Sequence, residues 1–120
     1  MAAKKTKKSV GKTKTLLREM KLVEVKLSLE ATKPGLAATG DILRGGEVVD
    51  RGVRVSPGAP WPKGEPKKLA PGSYTFAFGT QGKGAFSLGV SLDGNEREQV
   101  KKYDTGDDGL SDEYKFGVKS

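Results

Sequence analysis

The sequence predicts an all-β fold, a single antiparallel β-sandwich of six to seven short strands that follows a basic N-terminal arm. Three observations support this prediction. Apolar and polar residues alternate with a period of two in several segments, and clusters of Gly and Pro separate these segments at regular intervals. In addition, no segment has a convincing helical pattern. The sandwich is expected to be immunoglobulin-like or jelly-roll-like.

The first predicted strand begins at Leu22, where apolar residues alternate with charged or polar ones. A helix would turn Val25 and Leu29 toward water, so the pattern favours a strand. Pro34 and Gly35 then predict a turn, because proline presets φ and glycine tolerates a positive φ.

Two further strands are predicted around Ile42 and over residues 48–55, with a bulge at Gly52. The following stretch, residues 56–72, contains five of the six prolines of the chain. Because proline cannot donate a hydrogen bond to a ladder, this stretch is predicted to be a long loop without strands.

The clearest alternation lies in the C-terminal half. Strands are predicted over residues 72–79, 84–92, 97–103 and 113–119, the third of them at a sheet edge. The connection over residues 79–84 is predicted to be a flexible hairpin loop, and Asp93-Gly94 to be a second hairpin turn. Residues 69–78 resemble the strand entry of many bacterial immunoglobulin-like modules, with Pro-Gly before alternating aromatic residues.

The composition excludes several kinds of chemistry. The chain has no Cys, and therefore no disulfide, thiolate nucleophile or thiolate metal site. It also has no His, which removes Ser–His and Cys–His nucleophilic pairs and the commonest imidazole metal ligand. A glycosidase-like pair of carboxylates would have to face each other across a cleft. The candidate carboxylates all lie in one local loop: Asp104, Asp107, Asp108, Asp112 and Glu113. We therefore predict that the protein is not an enzyme.

Positive charge is concentrated at the N-terminus. Six lysines precede the first acidic residue: Lys4, Lys5, Lys7, Lys8, Lys12 and Lys14. We divide the chain into a basic arm, residues 1–20, and a sandwich domain, residues 21–120. Clustered lysines bind phosphates without reading base sequence, so the arm is predicted to contact neighbouring subunits or non-specific nucleic acid. The alternative is a terminus that only increases solubility.

No apolar run approaches the length that crosses a membrane, and no apolar segment of a secretory signal follows the basic arm. The sequence therefore predicts a cytoplasmic or particle-associated protein without a membrane partner.

Acidic residues crowd the stretch from Asp104 to Tyr114. It resembles the calcium loops of thrombospondin type 3 and related repeats, and the matching positions are Asp104, Asp108, Gly109, Leu110, Ser111 and Asp112. Gly106 replaces the middle aspartate, and Lys115 stands where the closing glutamate would bind. The resemblance implies at most a weak calcium site at Asp104, Asp108 and Asp112. We prefer an acidic turn between two strands, in which aspartates cap backbone N–H groups, and expect no other cofactor.

Trp61, the only tryptophan, lies between Pro60 and Pro62. It is either an interface anchor or sugar-stacking platform, or a lid that covers core apolar surface at one end of the sandwich. The lid is preferred, because the supply of apolar residues is thin and tryptophan usually buries most of its area.

Together these features predict a non-catalytic structural protein that works through protein–protein contacts. It would be a subunit or accessory component of a larger homo-oligomeric assembly, such as a viral or phage particle, with the arm on neighbouring subunits or nucleic acid. The alternative is a small ligand-binding module for carbohydrate or calcium that uses the Trp61 loop and the acidic loop, residues 104–112.

Overall fold

A computed structural model describes residues 22–119 as two four-stranded antiparallel sheets packed face to face. The strands are β1 (Val23–Ala31), β2 (Ala37–Arg44), β3 (Glu47–Val55), β4 (Lys67–Leu69), β5 (Gly72–Gln81), β6 (Ala85–Leu92), β7 (Glu98–Asp104) and β8 (Ser111–Val118). The first sheet has the order β4-β1-β6-β7, and the second has the order β3-β2-β5-β8. The predicted sandwich is confirmed, and the described residues contain no helix. The basic arm, residues 1–20, lies outside them.

The core lies between the sheets and follows from the period-two pattern. Alternate residues of β1, from Val23 to Leu29, are buried, while the residues between them face solvent. Aromatic side chains from β5 to β8 form two groups, and six ring pairs within them have centroids 5.3 to 6.2 Å apart. One group consists of Tyr74, Tyr114 and Phe116, and the other of Phe76, Phe78, Phe86 and Tyr103. Rings at these distances, stacked or edge to face, stabilise the core beyond their buried area.

The chain passes repeatedly between the sheets. The hairpin predicted over residues 79–84 is wrong, because β5 and β6 lie in different sheets. Both edges of β5 are already paired, with β2 on one side and β8 on the other. The hairpin at Asp93-Gly94 is confirmed, since β6 pairs with β7, and β7 is the predicted edge strand.

The proline-rich stretch was predicted to lack strands, and this prediction is wrong. β4 pairs with the start of β1, and Trp61 forms an isolated bridge with Leu27 through backbone hydrogen bonds of 2.8 and 2.9 Å. β4 occupies the proline-free interval between Pro66 and Pro71, and an edge strand needs a partner on one side only. The prolines therefore limit the strand to three residues without preventing it.

One local feature, a bulge, was correctly anticipated, and a second was found only in the structure. The pairing of β2 with β3 slips between Gly40–Val53 and Ile42–Asp50, and Gly52 has a φ of 65°, so the predicted bulge is confirmed. At the entry to β5, the Tyr74 hydroxyl donates a 2.6 Å hydrogen bond to the Ala70 carbonyl. A tyrosine hydroxyl bound to a backbone carbonyl a few residues upstream resembles the tyrosine corner found in immunoglobulin-type sandwiches.

Candidate functional site

The two ends of the sandwich are different. The described chain enters β1 at Val23, beside Leu69 of β4, and β1 ends at Ala31, which pairs with Phe86. Phe86 pairs with Tyr103, so the acidic loop begins at this second end. A strand of nine residues is roughly 27 Å long. The arm therefore joins the sandwich about one strand length from the acidic loop.

The net charge is distributed unevenly between the arm and the sandwich. Residues 22–120 contain fourteen Lys or Arg and fourteen Asp or Glu, so their formal charges cancel. Residues 1–21 contain eight basic residues and one acidic residue, and the net charge of +7 belongs entirely to them. Lys4, Lys5, Lys7, Lys8, Lys12 and Lys14 lie outside the described residues.

The acidic loop connects β7 of the first sheet to β8 of the second. Gly106 and Gly109 have φ angles of 65° and 86°, and the Gly106 N–H donates a 2.9 Å hydrogen bond to Asp104 Oδ1. The Glu113 N–H similarly donates to Asp112 Oδ1 at 2.7 Å. The predicted turn, with left-handed glycines and capping aspartates, is confirmed.

Thr105 fixes this loop to the rest of the molecule, and the sequence did not single it out. Its side chain is 4% exposed, and its hydroxyl accepts a 2.9 Å hydrogen bond from the Gly84 N–H. The same hydroxyl donates to the Gly106 carbonyl at 2.9 Å. The loop is thereby held against the connection between β5 and β6.

The acidic residues do not converge on one point. Within residues 22–119, no three acidic side chains come together in an arrangement that could hold a metal ion. Asp104 and Asp112 already accept backbone N–H groups, while Asp108 is exposed to solvent. Calcium needs six to eight oxygen ligands, so the geometry offers no support for the calcium hypothesis.

Trp61 belongs to the core and is only 8% exposed. A sugar-stacking platform requires an open ring face, which this burial does not provide. Trp61 does border a groove of about 520 Å³, and its lining includes Arg54, Ser56, Pro60, Pro62 and Lys63. We call this cavity the Trp61 groove.

The outer face of the first sheet carries an arginine that the sequence did not single out. Arg97 crosses Gly89, donates from Nε to Ser28 Oγ at 2.8 Å and donates from Nη2 to the Ser87 carbonyl at 2.7 Å. Its Nη1 lies 3.5 Å from Glu30 Oε1, and the side chain is 17% exposed. These contacts hold the β6–β7 connection against the sheet and place no free charge in a cleft.

Two tyrosines beside the acidic loop are held in the neutral form. Burial raises the pKa of Tyr103 to about 12, and the nearby charge of Asp112 adds to this effect. Burial also raises the pKa of Tyr114, against a smaller opposite effect from Arg97. A phenol with a raised pKa is a poor proton acceptor near neutral pH, so these groups do not make a catalytic base.

All four edge strands of the described sandwich are protected against pairing with another chain. β4 has only three residues, β3 is bulged at Gly52, and β7 carries Lys101 and Lys102. On β8, the Gln99 side chain binds both the N–H and the carbonyl of Gly117. Short strands, bulges and lysines all disfavour edge-to-edge association.

No family model, curated protein or solved structure matches this chain. In the part of the chain that the structure describes, no helix is long and apolar enough to cross a membrane.

Proposed function

We propose that the protein is a non-catalytic component of a larger assembly, in which the sandwich is a rigid head and the basic arm binds a neighbouring subunit or nucleic acid. One observation supports this most directly. The sandwich is formally neutral, whereas the arm and the residue after it carry all of the net charge. A segment of clustered lysines attached to a neutral domain is suited to binding a polyanionic or acidic surface.

A neighbouring copy of the chain offers such a surface. The arm joins one end of the sandwich, and the acidic loop, with exposed Asp107 and Asp108, lies at the other. An arm that binds the acidic loop of the next copy makes a head-to-tail contact. Contacts of this kind close into rings or continue into filaments.

Because the edges of the sandwich are protected, a contact made by the arm is favoured over the addition of a strand from one copy to a sheet of another. Backbone pairing between the sandwich domains of two copies is disfavoured, because all four edge strands are protected: β3, β4, β7 and β8. A segment of 20 residues spans at most about 70 Å, which exceeds the length of a nine-residue strand more than twofold. An arm can therefore reach the far end of an adjacent head.

The proposal is tested by the mass of the full-length protein in solution, measured by light scattering or sedimentation over a range of protein and salt concentrations. We expect multimers that dissociate as salt rises, because exposed charges are screened beyond about 8–10 Å. Deletion of residues 1–15 should leave a monomer. A full-length protein that stays monomeric at high concentration and low salt would contradict the assembly.

The same deletion also tests whether the arm binds nucleic acid or a neighbouring subunit. If nucleic acid is the partner, the full-length protein should retard DNA in a salt-sensitive way, and the deletion should abolish that shift. Retention of the shift after the deletion would exclude the arm as the nucleic-acid site.

A further inference from the structure

The Trp61 groove lies beside a second cavity. The first cavity, of about 520 Å³, and the second, of about 280 Å³, share Arg54 and Ser56 in their linings. Gly52, Arg54 and Ser56 line the first cavity from alternate positions of one strand and the residue after it. Alternate residues lie on one side of a strand, so the first cavity borders about 13 Å of this part of the chain.

All charged residues that line the two cavities are positively charged. Arg54 and Lys63 are the only charged residues in the two linings, and both are exposed. Neither forms a salt bridge with another residue of the described chain, where the ion pairs are Lys67–Asp50 and Arg97–Glu30. An anion that enters the groove therefore meets two cations that no described carboxylate neutralises.

Arg54 is also oriented. Its Nη1 donates a 3.2 Å hydrogen bond to Gln81 Oε1, which fixes one side of the guanidinium and leaves further N–H groups for a ligand. Arginine presents several donors in a planar fork that matches a carboxylate. Lys63 lies in the first cavity together with Pro60, Trp61 and Pro62, which are apolar residues. The surface thus combines apolar contact with two separate cations.

We propose that the Trp61 groove binds an extended acidic peptide segment, with its carboxylates on Arg54 and Lys63. Because the bulge at Gly52 disfavours backbone pairing with β3, side-chain contacts with Arg54 and Lys63 hold the peptide, and no strand is added to the sheet. Two cations placed along a groove of this length suit carboxylates carried on one chain. This inference goes beyond the assembly role, because it uses no residue of the arm and no residue of the acidic loop.

Trp61 provides the measurement, since it is the only tryptophan in the chain and borders the groove. The probe is a synthetic peptide of about ten residues in which Glu alternates with Ala, long enough to follow the groove. Titrated into the full-length protein, it should change the Trp61 emission in a saturable way. A matched peptide with Gln in place of Glu should bind far more weakly, and added salt should weaken the Glu peptide.

Variants distinguish peptide binding at the groove from binding at the lysine arm, which also attracts acidic peptides. The double variant R54Q/K63Q keeps the arm and should bind the Glu peptide about tenfold or more weakly, because it loses two charge-assisted contacts. The control is R51Q, which removes an exposed cation of the same strand that does not line the groove. R51Q should bind like the unmodified protein, and both variants should have unchanged melting temperatures.

Four results would overturn the proposal. They are the absence of a saturable Trp61 signal, equal binding of the Gln peptide, unchanged binding by R54Q/K63Q, and an equal effect of free glutamate at the same concentration. The third result would place the peptide on the arm, and the fourth would indicate a site for small anions only. Because these variants retain the arm, loss of the groove signal leaves the salt-dependent assembly unchanged, and the two proposals fail separately.

Discussion

The side-chain amide of Gln99 pairs with the backbone of Gly117 as another strand would. Its Nε2 donates to the Gly117 carbonyl at 2.9 Å, and its Oε1 accepts the Gly117 N–H at 2.7 Å. Gln99 lies on β7 and Gly117 on β8, the adjacent edge strands of the two sheets. The Tyr114 hydroxyl donates to the Gln99 carbonyl at 2.7 Å, so one residue joins the sheets through three hydrogen bonds.

Replacing Gln99 should therefore destabilise the sandwich. The change Gln99→Ala leaves both backbone groups of half-buried Gly117 without their partner. We expect the free energy of unfolding to fall by about 1–3 kcal/mol, the usual cost of unsatisfied polar groups. Urea denaturation followed by circular dichroism measures it.

A matched control is Gln81→Ala. The Gln81 side chain accepts a hydrogen bond from Arg54 but is exposed, so its loss should change stability by less than about 0.5 kcal/mol. Equal stability of the two variants would contradict the bridging role of Gln99.

Gly89 and Arg97 should be energetically coupled. A Cβ added at residue 89 would lie 2.6 Å from Cγ and 2.7 Å from Nε of Arg97. Gly89→Ala should therefore displace the arginine from Ser28 and Ser87, and lower the free energy of unfolding by about 1–3 kcal/mol. Denaturant unfolding measures this cost.

A double-mutant cycle tests the cause. In an Arg97→Ala background the three nearest contacts of the new methyl group are gone. Gly89→Ala should then be neutral or stabilising by roughly 0.5–1 kcal/mol, because alanine loses less backbone entropy than glycine in a strand. The same cost in both backgrounds would show that the arginine is not the obstacle.

These contacts show why the sequence predicted only part of the molecule. The alternation in β1 and β5 identifies strands and their buried faces without knowledge of the partner strands. Sheet membership depends on pairing over long sequence distances. The segment 79–84 has the glycine content of a hairpin loop yet connects two sheets, because β2 and β8 occupy both edges of β5.

The polar contacts at the candidate sites depend even more on register. Arg97 meets Ser28, 69 residues earlier in the chain, and Gln99 meets Gly117 across the sheets. Nothing in the local sequence distinguishes Arg97 from an exposed arginine in a polar turn. The acidic turn was predictable, because glycines with positive φ and aspartates that cap nearby N–H groups are local features.

Alkaline pH should weaken the fold through Tyr103. Its pKa is about 12 in the folded protein against an ordinary value of 10, so above pH 10 the unfolded chain loses the phenolic proton first. The folded state then binds more protons than the unfolded state, and stability falls as pH rises from 10 toward 12. Below pH 10 this contribution is fully present. Denaturant unfolding at several alkaline pH values measures the slope.

The change Tyr103→Phe keeps a ring of similar size for packing against Phe78 and Phe86 and removes the titrating group. Stability of this variant should therefore decline less steeply over the same pH range. Identical slopes for the two proteins would show that the proton on Tyr103 does not contribute.

Asp107 and Asp108 provide the sharpest test of the head-to-tail contact. Both are exposed, and replacing them with Asn removes two negative charges without changing the size of the side chains or the glycines of the turn. If the arm of one copy binds the acidic loop of the next, D107N/D108N should shift the salt-dependent association to higher protein concentration, by about tenfold for a loss near 1.4 kcal/mol. The control E65Q/E96Q removes two exposed acidic side chains from outside the loop and should associate normally. Equal weakening by both variants would mean that the arm responds to total charge, and the acidic loop would then have no specific role.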